Sequence, residues 1–151
     1  MKLAILTILA LTPLLLNIPV RAENHQDVAR LLSTGECVGC DLSGADLKEA
    51  HLIGADLRNA NLFKANLSDS NLEGADLSGA NLQGANLHGV FLTNATLSYA
   101  NLNGVNLSEA TVYDADVGGA SMRDLNITNA EIFNTGIGIG GEDPNALPEQ
   151  Q

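Results

Sequence analysis

Aromatic residues are nearly missing from this chain: three Phe, two Tyr and no Trp among 151 residues. Domains of this size usually build much of their interior around such rings, so any core here must be packed from aliphatic side chains. Cations are also scarce, with seven Lys and Arg against 18 Asp and Glu and a formal charge of -11. That excludes binding of nucleic acid through a basic stripe, because neutralising phosphates takes clustered Lys and Arg. The longest apolar run, Leu3 to Leu16, falls short of the roughly 18 to 20 residues that cross a bilayer as a helix. What remains is an ordinary apolar content of 45% with only 17% charged residues, a balance that does not fit disorder. The length allows one domain.

The N-terminal region reads as a targeting segment. Lys2, the apolar run, Asn17 and Pro19, and then Val20-Arg21-Ala22 form the three regions of a secretory signal peptide over residues 1-22, with cleavage after Ala22. Its removal takes away Lys2 and Arg21 and no acid, which makes the mature chain more acidic still. There is no twin-Arg pair, and neither Cys sits at the cleavage point, so general export into a periplasm or thylakoid lumen is expected. In such an oxidising compartment Cys37 and Cys40, spaced Cys-Val-Gly-Cys, read first as a disulfide. A redox pair would need a βαβ context that the following sequence does not offer. Zinc would need two more ligands, and His25, His51 and His88 have no ligand-like spacing.

From Cys40 the chain keeps a period of five. Leu stands at every fifth position from Leu42 to Leu107, and the series continues as Val112, Val117, Met122, Ile127, Ile132 and Ile137. At this apolar content, twenty consecutive apolar centres arise by chance with a probability of about 10⁻⁷. Two positions before each centre, Ala occurs in 14 of the 20 units; the exceptions are Cys40, Ser70, Val90, Val105, Leu125 and Thr135. An α-helix would rotate successive Leu by about 140° and form no stripe, and a continuous strand would send them to alternate faces. If the chain bends once per unit, each Leu and the Ala two before it point to one axis. The other three positions, rich in Asn, Asp, Ser and Gly, face outward and supply turn chemistry. Such coils satisfy their backbone only by stacking, which makes an all-β solenoid.

The tandem A(D/N)LXX pattern over residues 40-139 resembles the pentapeptide-repeat family. The segment Leu31-Leu32-Ser33-Thr34-Gly35-Glu36-Cys37-Val38-Gly39-Cys40-Asp41-Leu42 is similar to exported cyanobacterial members. The resemblance implies a right-handed quadrilateral β-helix with one unit per side and about five coils, roughly 24 Å long at the spacing of stacked strands. Its ends need covering. Asn24 is placed to cap a short α-helix from His25 to about Ser33, with Val28, Leu31 and Leu32 on one face and Gly35 as the stop. Residues 23-39 are thus an N-terminal capping helix and loop, and a Cys37-Cys40 link would pin it to the first coil. Residues 140-151 read as a flexible tail that leaves the other end open for weak pairing of two copies. After Thr111 the central Leu gives way, and Leu125 replaces the small Ala.

Sorting units by side stacks residues twenty apart. One column collects Asp56, Asp76 and Asp116, interrupted by Thr96. Its carboxylates should repel one another; the column reads first as a solvated acidic face, the alternative being that they titrate high or attract a cation such as calcium. Another side collects Ile53, Phe91, Tyr113 and Phe133, a candidate interaction face. His51 and His88 point outward. Gly136, Gly138 and Gly141 satisfy G-x-G-x-x-G without the helix and second strand that a dinucleotide needs. The sequons at Asn66, Asn94, Asn106 and Asn126 follow from the repeat itself. No catalytic constellation, metal site or cofactor is expected. The leading reading is a non-enzymatic exported scaffold or protein-interaction module with an unknown protein partner, no nucleic acid and no membrane contact after signal cleavage. Alternatives are a DNA-mimic topoisomerase inhibitor, as the resemblance allows, and a thiol-disulfide redox protein using Cys37 and Cys40. A column of this length spans only about seven base pairs, so mimicry would need a dimer.

Overall fold

The computed structural model describes residues 24–137. The expected signal peptide (1-22) and tail (140-151) lie outside the described residues. Helix α1 (His25–Thr34) comes first, followed by a right-handed four-sided β-helix. We number the sides one to four from the units that begin at Cys40, Ala45, Ala50 and Ala55. Parallel bridges join residues twenty apart on every side, as in Asp41↔Asn61↔Asn81↔Asn101 on side one. Among the described residues only two segments are long enough to be strands, β1 (Thr111–Tyr113) and β2 (Glu131–Phe133), which pair in parallel on side three. Elsewhere the turns follow so closely that one residue per side makes the bridge.

The unit Ala80–Gly84 shows why five residues suffice. The Ala80 N–H closes the corner onto the Leu77 carbonyl at 3.0 Å. The Asn81 N–H reaches the coil before, at the Ala60 carbonyl, while the Leu82 and Gly84 N–H groups reach the coil after, at Asn101 and Asn103, each at 2.9 Å. The remaining donor, the Gln83 N–H, is taken by Oδ1 of Asn81 at 3.3 Å. Every amide of the unit is therefore satisfied, as buried backbone requires. The corner is a four-residue turn whose third residue has positive φ, as in a type II turn. Gly holds that position at Gly84 (φ 68), Asn at Asn59 (φ 56), and the bulkier Tyr99 adopts it at φ 60.

Inside, the central Leu and the preceding Ala form a continuous column with almost no exposed surface from Leu42 to Ala110. Ser70, at an Ala position, is also fully buried, and its hydroxyl is satisfied by the Leu67 carbonyl at 2.7 Å. The N-terminal end is closed by α1. The Asn24 side chain accepts from the Asp27 N–H, and Gly35, at φ 73, terminates the helix. Leu31 is buried and Val28 packs against the core, but Leu32 is 56% exposed. The expected three-residue face is corrected to two: Leu32 lies about 100° beyond Leu31 around the axis and turns away from the coil.

The β-helix also starts earlier than Cys40. Glu36 bridges Asp56, and the Cys37 N–H bonds the Asp56 carbonyl at 2.8 Å. Gly35–Gly39 is thus a repeat unit beneath side four, with Cys37 at the central position, and not a loop. At the other end the last coil is looser. Met122, Leu125, Ile127 and Ile132 are only partly buried, and the side-four ladder runs no further than Thr96↔Asp116 among the described residues. A recess of about 380 Å³ opens there between Asp116–Gly119 and Asn134–Gly136.

Two substitutions separate the two ends of this gradient. Ala85→Leu should cost about 1–3 kcal/mol by overfilling the closed interior, whereas Leu125→Ala should change stability by under about 1 kcal/mol because the site is already partly exposed. Urea denaturation of the mature chain measures both.

Candidate functional site

The four sides share a core and differ in what they carry outside. Sides one and two each present a continuous hydrogen-bonded ladder. On side one the Asn61 amide donates to Asp41 at 2.9 Å, Asn81 to Asn61 at 3.1 Å, Asn101 to Asn81 at 3.2 Å, and the Ser121 hydroxyl to Asn101 at 3.2 Å. On side two Asn66 donates to Asp46, Asn86 to Asn66, Asn106 to Asn86 and Asn126 to Asn106, at 2.9 to 3.2 Å. The sequence reading treated these side chains as solvated surface and missed their second role. Three sequon asparagines, Asn66, Asn106 and Asn126, have their amides held in this ladder, while Asn94 sits exposed at a corner with φ 58. His51 is exposed as expected. His88 is less free: its Nδ1 lies 3.0 Å from the Ser108 hydroxyl and its Nε2 lies 3.8 Å from Glu109.

Side four carries the acidic column. Asp56, Asp76 and Asp116 stack in register with Thr96 between them, as expected. The alternative that they titrate high does not hold for two of the three. Arg58 chelates Asp56 through two bonds, Nε to Oδ1 at 2.8 Å and NH2 to Oδ2 at 2.6 Å, and holds its carboxyl below the ordinary value. The same pairing raises Arg58. Asp116 is also lowered, first by the Ser98 hydroxyl at 2.6 Å and then by the Gly118 N–H. Asp76 accepts the Ser78 hydroxyl and lies 3.9 Å from Arg58. Among the described residues no three His, Cys, Asp or Glu side chains gather as metal ligands would.

Cys37 and Cys40 stand on either side of one corner, with their Sγ atoms at disulfide distance, 2.06 Å, and Cα atoms 5.2 Å apart. Both are buried, Cys37 fully and Cys40 to within 5%. The same corner meets α1: the Cys37 sulfur is 3.4 Å from the Asp27 carbonyl oxygen, and the Asp27 carboxylate accepts the Asp41 N–H at 2.9 Å. Thiol exchange requires in-line approach to a sulfur, and this corner offers little access.

Side three carries three of the exposed large apolar side chains among the described residues, while Leu32, Val38 and Tyr99 lie elsewhere. Ile53 is 62% exposed, Phe91 49% and Phe133 69%. The structure brings Tyr113 and Phe133 together edge to face, with centroids 6.5 Å apart, and the Tyr113 hydroxyl donates to Glu131 at 2.5 Å. That bond raises the Tyr113 pKa. Phe91 lies in the adjacent row, which runs His51, Asn71, Phe91, Thr111, Glu131. Ile53 is set apart from Tyr113 in the twenty-residue register by Glu73 and Thr93. The sequence reading also missed Tyr99, 79% exposed on side four with its ring against Gly119, because it stands at the corner position rather than beside the Leu.

The Pentapeptide repeats family pattern matches residues 40–79 and 75–112, in eight copies. A pentapeptide repeat protein from Nostoc Pcc 7120 is 29% identical, with 70% of this chain and 95% of that one covered and a TM-score of 0.57. This chain is a pentapeptide-repeat protein. One from Cyanothece 51142 is 30% identical over 74% of this chain and 97% of that one, with a TM-score of 0.31. One from the Arabidopsis thaliana thylakoid lumen is 29% identical with a TM-score of 0.42; the match covers 67% of this chain and 64% of that protein's length, less than two thirds of it. A search of curated proteins returned no significant match. Pentapeptide-repeat proteins are generally non-enzymatic structural proteins.

Against the family pattern, side three is the side that departs most. Its position before the central residue holds His51, Phe91, Thr111 and Glu131, and only Asn71 supplies the amide that serves sides one and two. Side three therefore carries side chains that do less for the column.

Two predictions follow the contrast between sides. Asn86→Ala removes the acceptor of the His88 N–H and of the Asn106 amide, and should cost about 1–3 kcal/mol; Phe91→Asn restores the repeat pattern and should leave stability within about 1 kcal/mol. Thermal melts measure both. Because Asp56 and Asp116 are depressed in the folded state, their contribution is present above the ordinary carboxylate pKa and is lost as pH falls through the folded value. Asp56→Asn should therefore melt below wild type at neutral pH, and the two melting curves should converge once the pH falls below the depressed folded-state pKa of Asp56.

Proposed function

We propose that this pentapeptide-repeat protein is a non-enzymatic interaction module, or scaffold, that works after export to the periplasm or thylakoid lumen and presents side three to a protein partner. One observation carries the reading: the side that gives up the Asn/Asp position is the side that exposes Ile53, Phe91 and Phe133. Three of the six exposed large apolar side chains among the described residues stand on this one side, which favours it as a contact surface. Export is supported by the signal-like segment at residues 1-22 and by the Cys37–Cys40 pair, which we take to be oxidised in that compartment. Among the described residues no helix is long and apolar enough to cross a membrane. The covered ends of the reading are α1 and the Cys37–Cys40 corner, which close the N-terminal coil and leave the sides free.

The test is affinity capture from the native exported compartment with the mature chain as bait, beside a Phe91→Ser/Tyr113→Ser variant. Wild type should retain one specific protein that the variant loses by at least about tenfold, equivalent to roughly 1.4 kcal/mol of binding. Equal retention by both would remove side three from the function.

A further inference from the structure

Side three has no cation. Its five units, beginning at Ala50, Ser70, Val90, Ala110 and Ala130, contain Glu73, Asp114 and Glu131 but neither Lys nor Arg. The corner it shares with side two adds Glu49, Asp69 and Glu109. In the N-terminal half that acidity is answered, since Lys48 lies 3.4 Å from Glu49 and 4.0 Å from Asp69. In the C-terminal half it is not answered by Lys or Arg: between Lys64 and Arg123 the chain has none, and Arg123 belongs to side one, across the column.

The exposed rings lie in this same half. Phe91, Tyr113 and Phe133 occupy three successive coils and so climb the face in steps of about 4.8 Å, the spacing of neighbouring strands. Tyr113 and Phe133 meet edge to face, Phe133 exposed and Tyr113 partly exposed, and Glu131 is held beside them by the Tyr113 hydroxyl. Side three is also flattest here, because β1 and β2 are the described segments that extend beyond a single bridging residue. Aromatic faces bordered by carboxylates are suited to a guanidinium or ammonium group, which stacks on the ring and pairs with the acid at once. A purely apolar partner would leave Asp114, Glu131 and Glu109 desolvated at the rim without a counter-charge, and an acidic one would be repelled.

We propose that the C-terminal half of side three docks an extended, Arg- or Lys-bearing segment of a partner protein, with its cations over Phe91, Tyr113 and Phe133 and against Glu109, Asp114 and Glu131. This rests on the reading of side three as an interaction face and adds the chemistry of what binds there.

Fluorescence anisotropy with three labelled peptides tests it: one alternating Arg and Ser, one alternating Leu and Ser, and one alternating Glu and Ser. The Arg-Ser peptide should bind the mature protein and the other two should not. Phe133→Ser and Glu131→Gln should each weaken it by roughly tenfold, while Asp124→Asn, which removes one charge from side one in the same coil, should change it by under about twofold. Both Phe133 and Glu131 are exposed, and circular dichroism confirms that the variants fold. Equal loss in Asp124→Asn would reduce the binding to general acidity and overturn the proposal. Failure of the Arg-Ser peptide to bind would overturn it as well. Binding of the Leu-Ser peptide alone, lost in Phe133→Ser, would keep side three as an interaction face while overturning the cationic partner.

Discussion

Coil-to-coil hydrogen bonding fixes everything else in this molecule. A unit of five residues has five backbone donors; one closes the corner, three reach neighbouring coils, and one is left facing outward. Where an Asn or Asp precedes the central residue, its Oδ1 takes that last donor. The repeat pattern is therefore a statement about backbone satisfaction as much as about burial. Leu and Ala fill the axis because the coil is narrow, and the aromatics that other domains bury have no room there. All five rings stand outward: Phe63, Phe91, Tyr99, Tyr113 and Phe133 are exposed or partly exposed.

The same constraint explains why the ladders are written in Asn with Asp at the foot. An interior member must donate to the coil before it and accept from the coil after it, which an amide does and a carboxylate cannot. A column of carboxylates at strand spacing would also repel itself. The first member has only to accept, and Asp41 and Asp46 stand at that place, each taking the amide twenty residues on. Side four breaks the rule with Asp56, Asp76 and Asp116 and needs other donors. Arg58 and the hydroxyls of Ser78 and Ser98 supply them, and Asp56 and Asp116 titrate below the ordinary carboxylate value.

Periodicity made the architecture legible because it is the signature of what points inward. Leu42 through Leu107 could be assigned to the axis, and Asn24 and Gly35 to the two ends of α1, without coordinates. What outward side chains do was not legible, since a solvated Asn and a laddered one are the same letter; only the twenty-residue register separates them. Gly35–Gly39 was hidden for a related reason. With Gly at the Ala position and Cys37 at the centre it does not resemble a repeat, yet its backbone bonds to Asp56 and Arg58 as any coil would. Leu32 was misplaced because a helix covering the end of a column buries a narrower stripe than one packed along a sheet. Tyr99 was missed because the corner position is usually Gly or Asn, where φ is positive at little cost.

A column built this way separates stability from recognition. The interior and the two amide ladders hold the coils together, so a third side can vary without loosening the stack. Side three uses that freedom: Asn71 alone keeps the pattern in its row, and Phe91, Thr111 and Glu131 follow it up the face. The departure is not random in chemistry, because the rings and the carboxylates without a Lys or Arg partner fall in the same half, and the Tyr113 hydroxyl donates to Glu131 in the next coil as part of that surface. A side chain that leaves the ladder gives up a hydrogen bond worth on the order of 1 kcal/mol. Repeated on this side and absent from sides one and two, that loss is what a binding face would require of a fold whose stability resides elsewhere.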